Sequence, residues 1–181
     1  MKINTVKLFH HFFLVIFLAF LLQSCTRLPL VSFNGASLSP DMKSITIRNF
    51  YSDVAAGPAN LAINFTEKVK EFYQRNTRLA LINDNGDLTL EGTITDYSVS
   101  PVAPVAGSGD LQQIAGQQRL SITVKVQYTN AKDGTKDFDQ AFTQFADFGA
   151  SANISQVEAG LINDIFNRVV LDIFNKSAGD W

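Results

Sequence analysis

"RLSITVKVQYTN", Arg119 to Asn130, alternates without a break: Leu120, Ile122, Val124, Val126 and Tyr128 fall on one side, Ser121, Thr123, Lys125 and Gln127 on the other. A period of two over this length is a β-strand with one face buried and one wet. Such a strand needs neighbours and a covering layer. "NAKDGT", Asn130 to Thr135, is turn chemistry. It leads into a strand from Asp137 to Phe148 whose Phe138, Phe142 and Phe148 share a parity. Upstream, "LTLEGTITDYSVS" from Leu88 places Leu88, Leu90 and Ile94 inward, then shifts parity around Asp96 to Tyr97 and Val99, which predicts a bulge or a bend. Arg78 to Ile82 reads as a further strand, and "NDNG", Asn83 to Gly86, as the turn of a hairpin joining it to Leu88. "SITIRNF", Ser44 to Phe50, is a short strand with Ile45, Ile47 and Asn49 on one face and Thr46, Arg48 and Phe50 on the other; Tyr51 to Ala59 is a loop.

Two segments supply the covering layer. Leu61, Phe65, Val69 and Phe72 recur at helical spacing with charged residues between them, and Asn60 stands at the N-cap position. "SQVEAGLINDIFNRVVLDIFNKS", from Ser155, carries Val157, Leu161, Ile165, Val169 and Ile173 in a stripe widened by Ile162, Phe166 and Phe174. Ser155 and Glu158 have the spacing of a capping box, and Lys176 and Gly179 mark the end. The order β-α-β-β-β-β-α predicts an α+β fold, a two-layer sandwich with both helices on one face of a four- to five-stranded mixed sheet. Phe138, Phe142, Phe145 and Phe148 read as core beneath those helices rather than as an acyl-chain groove.

The N-terminus has a separate logic. The apolar run from Phe12 to Leu22 is 11 residues, whereas a helix needs about 20 to cross a bilayer. With Lys2 and Lys7 ahead of it, residues 1–24 read as a signal peptide that is cleaved. Leu22-Gln23-Ser24-Cys25 then resembles a bacterial lipobox, which would make Cys25 the acylated first residue of the mature chain. Residues 25–42, with Pro29, Gly35 and Pro40, form the lipidated tether and entry segment, and 43–181 a single domain. "TRLPLVS", Thr26 to Ser32, has no acidic residue, so the domain is expected to face the periplasm.

Cleavage also narrows the chemistry. His10 and His11 are the only histidines and Cys25 the only cysteine, so the mature chain has neither imidazole nor free thiol. Ser-His-Asp and Cys-His catalysis lose their base, and zinc sites lose their usual ligands. No metal and no cofactor are expected. Basic residues fall from 15 to 13 against 17 acidic ones, taking the formal charge from −2 to −4, which offers nothing to nucleic acid. Carboxylates remain. Asp84, Asp87, Glu91 and Asp96 would be the acids of a cell-wall glycan hydrolase, although a solvated turn and strand face accounts for them as well.

"SFNGASLSPDMKSITIRNF", Ser32 to Phe50, and "GDLTLEGTITDYSVSPVAP", Gly86 to Pro104, resemble the LPS-assembly lipoprotein family, LptE. The resemblance runs from the lipobox to the last helix and rests on soft patterns. It implies a non-enzymatic outer-membrane lipoprotein, lipid-anchored on the periplasmic side, that plugs an LptD-type β-barrel as a 1:1 heterodimer and helps deliver lipopolysaccharide to the cell surface. It fixes no lipopolysaccharide-contacting residue on this chain. The residues themselves offer Arg48, Arg119, Lys125, Lys132 and Lys136 as partners for lipid phosphates. Ser100 to Gln118, near twenty residues between the two longest strands, exceeds an ordinary hairpin loop. Pro101, Pro104, Gly107, Gly109, Gln112 and Gly116, with Asp110 as the only charge, mark it as a loop that contacts the barrel. A scaffold for another envelope machine would share the tether and the domain.

Overall fold

The computed structural model describes residues 41–102 and 116–178. The signal segment, Cys25 and the tether up to residue 40 lie outside the described residues, as do Pro104, Gly107, Gly109, Gln112 and Gly179. Within them the order is β1 (Ser44–Ile47), β2 (Tyr51–Ser52), α1 (Leu61–Asn76), β3 (Ala80–Leu81), β4 (Leu88–Pro101), β5 (Gln117–Asn130), β6 (Phe138–Gly149) and α2 (Ile154–Ala178). The sheet is mixed and six-stranded, in the order β3-β1-β4-β5-β6, with β2 pairing β4 beyond the end of β1. Both helices cover one face, as the patterning predicts.

The β4-β5-β6 meander is the frame. β4 and β5 pair antiparallel from Leu88↔Asn130 to Pro101↔Gln118, with a register shift between Ile94 and Asp96. That bulge keeps Tyr97 opposite Ile122 on the helix side, where an unbroken register would have put Asp96. Leu88, Leu90, Ile94, Leu120, Ile122, Val124 and Val126 are fully buried there. α2 lays Ile165, Phe166, Val169, Val170 and Ile173 onto them, while α1 contributes Leu61, Phe65, Val69 and Tyr73. Phe142 and Phe148 join this core, whereas Phe145 has the other parity and is 39% exposed on the far face of the sheet.

The structure departs from the local reading in three further ways. β3 does not form a hairpin with β4. It pairs parallel to β1, and β1 lies between them, so that Ile45 faces Leu81 on one side and Leu88 on the other. "NDNG" does turn, with Asn85 at φ 58, but the chain crosses β1 as it does so. Gly86 passes so close that a Cβ there would lie 2.6 Å from the Thr46 nitrogen and 2.9 Å from the Ile45 carbonyl carbon. Its N–H donates to Thr46 Oγ1 at 3.0 Å, which is why Thr46 is buried.

Second, the edge strand breaks. Ile47 pairs Leu90 and Tyr51 pairs Thr93, so one residue is extra on the β1–β2 side. The break turns Phe50 inward and leaves Asn49 exposed, reversing the faces expected for both. Phe50 N–H leaves the ladder for Thr66 Oγ1 on α1 (3.0 Å), and its ring meets Phe65 edge-on at 4.9 Å. Third, the helix caps differ. Asn60 makes no side-chain cap bond. At α2 the capping-box expectation fails, because Asn153 Oδ1 accepts the Ser155 N–H at 3.1 Å and Glu158 is engaged by Tyr97.

Among the described residues one buried side-chain polar atom is unsatisfied. The Tyr128 hydroxyl has no hydrogen-bond partner, and burial pushes its pKa up to about 12, with Asp137 adding to the rise. Tyr73, by contrast, bonds Ser177 Oγ at 2.5 Å. Tyr128→Phe should therefore leave stability unchanged or raise it by about 1 kcal/mol, while Tyr73→Phe should lower it by about the same amount. Urea unfolding of the two variants checks the opposite signs.

Candidate functional site

The face of the sheet opposite the helices is polar. Working across it from the edge, Arg48 Nε lies 3.4 Å from Glu91, Lys125 Nζ 3.1 Å from Asp139, and Arg119 grips Asp147 with two bonds of 2.7 and 2.9 Å. Between these pairs the Thr123 and Thr143 hydroxyls bond at 2.8 Å. The register produces each pairing: Lys125 is level with Ala141, two residues from Asp139 on the same face, and Arg119 is level with Asp147. The Arg119 guanidinium also stacks over Phe145, 3.6 Å from the ring centroid, which accounts for the exposed aromatic ring on a wet face. Asp147 is held below the usual carboxylate range by Arg119 first, with Arg168 adding to it, and the same bond raises Arg119.

Tyr51, Glu91, Thr93, Lys125, Gln127 and Asp139 line a depression of 360 Å³ on this face. Tyr51, 70% exposed, stands at its edge. Of the five basic candidates, the structure brings Lys125 to this depression, sets Arg48 beside it through Glu91, and puts Arg119 farther along the same face. Lys132 and Lys136 sit in the β5–β6 turn at one end of the sheet instead. The face is thus hydrogen-bonding, and its cations Arg48, Lys125 and Arg119 are each neutralised by a carboxylate. An anion would have to compete with Glu91, Asp139 or Asp147 for them. Those partner carboxylates were not legible from the sequence, because only the register reveals them.

The carboxylates available to a hydrolase have other work. Asp87 Oδ2 accepts from Lys43 N–H, Ser44 N–H and Ser44 Oγ, and its Oδ1 is 3.1 Å from Lys132 Nζ. Asp96 accepts from Ser98 Oγ at 2.8 Å. Glu91 is four residues from Asp87 and five from Asp96, or about 13 and 16 Å between backbone positions at roughly 3.3 Å per residue, and the residue opposite it across the ladder is Gln127, not an acid. The described residues gather no group of three or more His, Cys, Asp or Glu able to hold a metal ion. No described helix is long and apolar enough to cross a membrane.

Asp87 also makes the fold acid-sensitive. Its carboxyl is held at about 2 instead of 3.8, chiefly by the Lys43 N–H and then by Lys132. A depressed carboxylate stabilises the fold in full above its unfolded pKa and loses that contribution as pH falls through the folded value. Asp87→Asn should be less stable than the parent at pH 7, and the two should converge between about pH 4 and pH 2. Thermal melts across that range test this.

A family model described as lipopolysaccharide assembly, LptE, matches residues 42–177, a range that takes in every element from β1 to all but the last residue of α2. The chain belongs to the LptE family. LptE proteins are non-enzymatic envelope lipoproteins, and membership gives this chain a role in lipopolysaccharide assembly. The chain is similar to several solved structures. A protein from Xanthomonas campestris aligns with a TM-score of 0.51 at 9% identity, covering 79% of this chain and 90% of its own. A minor lipoprotein from Acinetobacter baumannii aligns at 0.49 and 16% identity, covering 75% and 91%. The rare lipoprotein B from Shewanella oneidensis aligns at 0.47 and 8%, covering 74% and 90%. At such identities the likeness concerns the fold alone. No curated protein matches the chain by sequence.

Proposed function

We propose that this LptE-family protein is an outer-membrane lipoprotein, anchored through acylated Cys25 after removal of residues 1–24, whose periplasm-facing domain seats in the lumen of an LptD-type β-barrel as its 1:1 partner. There it helps assemble the barrel and assists lipopolysaccharide delivery to the cell surface. The observation that carries this reading is the family match over 42–177, which spans the whole described fold. The neutral, hydroxyl-rich sheet face supports it, because the interior of a large outer-membrane barrel is polar. On that face Arg48, Arg119 and Lys125 are the residues assigned to lipopolysaccharide phosphates. The segment after Pro101, which closes β4 by pairing with Gln118, is assigned to the barrel wall.

The anchor is testable by itself. Each buried methylene contributes about 0.8 kcal/mol, so two or three acyl chains hold a protein at a membrane where one does not. Cys25→Ala should abolish palmitate labelling and move the protein to the soluble or unprocessed fraction. Persistent labelling would remove Cys25 from the account. Depleting the protein should lower both the assembled barrel and surface lipopolysaccharide. Normal levels of both would favour a scaffold for another envelope machine.

A further inference from the structure

We propose that Asp87 and Lys132 form a clamp that locks the point where the chain enters the domain, so that motion or load in the residues before 41 is not passed into the sheet. β1 is only four residues long, yet it lies between β3 and β4. A short strand that is the first among the described residues is the one a pull on the chain before it would peel away.

The structure reinforces that place from three segments distant in sequence. The consecutive N–H groups of Lys43 and Ser44 converge on Asp87 Oδ2 at 2.8 and 3.1 Å, and Ser44 Oγ donates to the same oxygen at 3.1 Å while accepting the Asp87 N–H at 3.0 Å. Lys132 bridges the other carboxylate oxygen to the Asp41 carbonyl, reaching upstream of β1 itself. Backbone bonds frame the node: Ala131 N–H to Asp87 O at 2.9 Å and Ala80 N–H to Lys43 O at 2.8 Å. Charge-assisted bonds of this kind are stronger than neutral ladder bonds, and here they replace the ladder bonds that so short a strand cannot make. The Asn130 side chain holds the Lys132 end by accepting the N–H groups of Lys132 and Asp133 at 2.9 and 3.0 Å.

The purpose assigned to the clamp rests on the reading that Cys25 is lipid-anchored, since an anchored leader transmits membrane motion. The clamp itself does not. It should be the same in Cys25→Ala protein, so a failed anchor and a failed clamp give different results.

The peptide bond after Lys43 is a trypsin site inside the clamp. In full-length protein under native conditions, Asp87→Asn should raise cleavage at that bond by about tenfold or more, the scale of one lost charge-assisted hydrogen bond acting on local opening. Lys132→Gln should raise it less, because the Asp87 bonds to β1 survive. Amide exchange in residues 120–126 should stay at the parental rate in Lys132→Gln. Parental cleavage rates in both variants would overturn the proposal, as would faster exchange in 120–126 in Lys132→Gln, which would make the node a global and not a local support. Should Asp87→Asn fail to fold, Lys132→Gln decides alone: a raised rate sustains the clamp and an unchanged one ends it.

Discussion

Phe65→Ala should lower the unfolding free energy by about 3–5 kcal/mol, a large part of the roughly 5–15 kcal/mol that holds a domain folded. Phe65 is fully buried, with the Phe50 ring 4.9 Å away on one side and the Phe166 ring 4.8 Å away on the other. It therefore joins the broken edge strand, α1 and α2. Its loss leaves a cavity that none of the three can close without giving up other contacts, because Phe50 is also held by its backbone bond to Thr66. Phe65→Leu, which keeps most of the volume, should cost clearly less. Chemical denaturation with an unchanged denaturant slope would give the difference. A loss below 1 kcal/mol for the alanine variant would mean that the three elements do not depend on this ring.

Gly92→Ala should be nearly as damaging, although it adds a single methyl. A Cβ at Gly92 would lie 2.3 Å from the Lys125 carbonyl oxygen and 2.8 Å from the Phe50 ring. The first obstacle is backbone in the neighbouring strand, so the strain must spread into the β4–β5 ladder, and overpacking of this kind costs about 1–3 kcal/mol or more. Gly160, in the exposed part of α2, has nothing within 4 Å of its would-be Cβ. Gly160→Ala should raise stability by about 0.5–1 kcal/mol through helix propensity. Matched unfolding curves for the two variants should move in opposite directions from the parent.

The parts of the fold that could be read from the sequence are those in which a side-chain period runs unbroken. β5 and both helices follow from alternation and helical stripes, and even the bulge at Asp96 is announced by the change of parity before Tyr97. Long-range pairing is what local patterns miss. "NDNG" carries every mark of a hairpin turn, and nothing near it in sequence says that β1 will occupy the slot between β3 and β4. Only Gly86, needed where the chain crosses β1, leaves a trace of that crossing. Alternation groups Phe50 apart from Ile45 and Ile47, and the fold buries it beside them because the period breaks at one residue, too brief a change for a local pattern to show. Asn153 outcompetes Ser155 as the cap because it stands one position ahead of the first helical residue, Ile154, while Glu158 is drawn to Tyr97.

The candidate site divides in the same way. Arg119 and Lys125 stand on the strand face that alternation exposes, so their shared surface can be anticipated, whereas Arg48 lies in the break between β1 and β2. Their partners Glu91, Asp139 and Asp147 require the register. Lys132 is a basic residue in a turn by sequence, and only the fold shows it bound to Asp87 across β1's entry.

The central claim is that the chain works as the LptE-type partner of an outer-membrane barrel. Affinity capture of the tagged, full-length protein from native outer membranes, with crosslinking and mass spectrometry of what is retained, tests it most directly. The account predicts one dominant large β-barrel at equal stoichiometry, with crosslinks from Lys125 and from the segment following Pro101 to its lumen wall. Capture without any such barrel, or with a different envelope complex in stoichiometric amount, would contradict it.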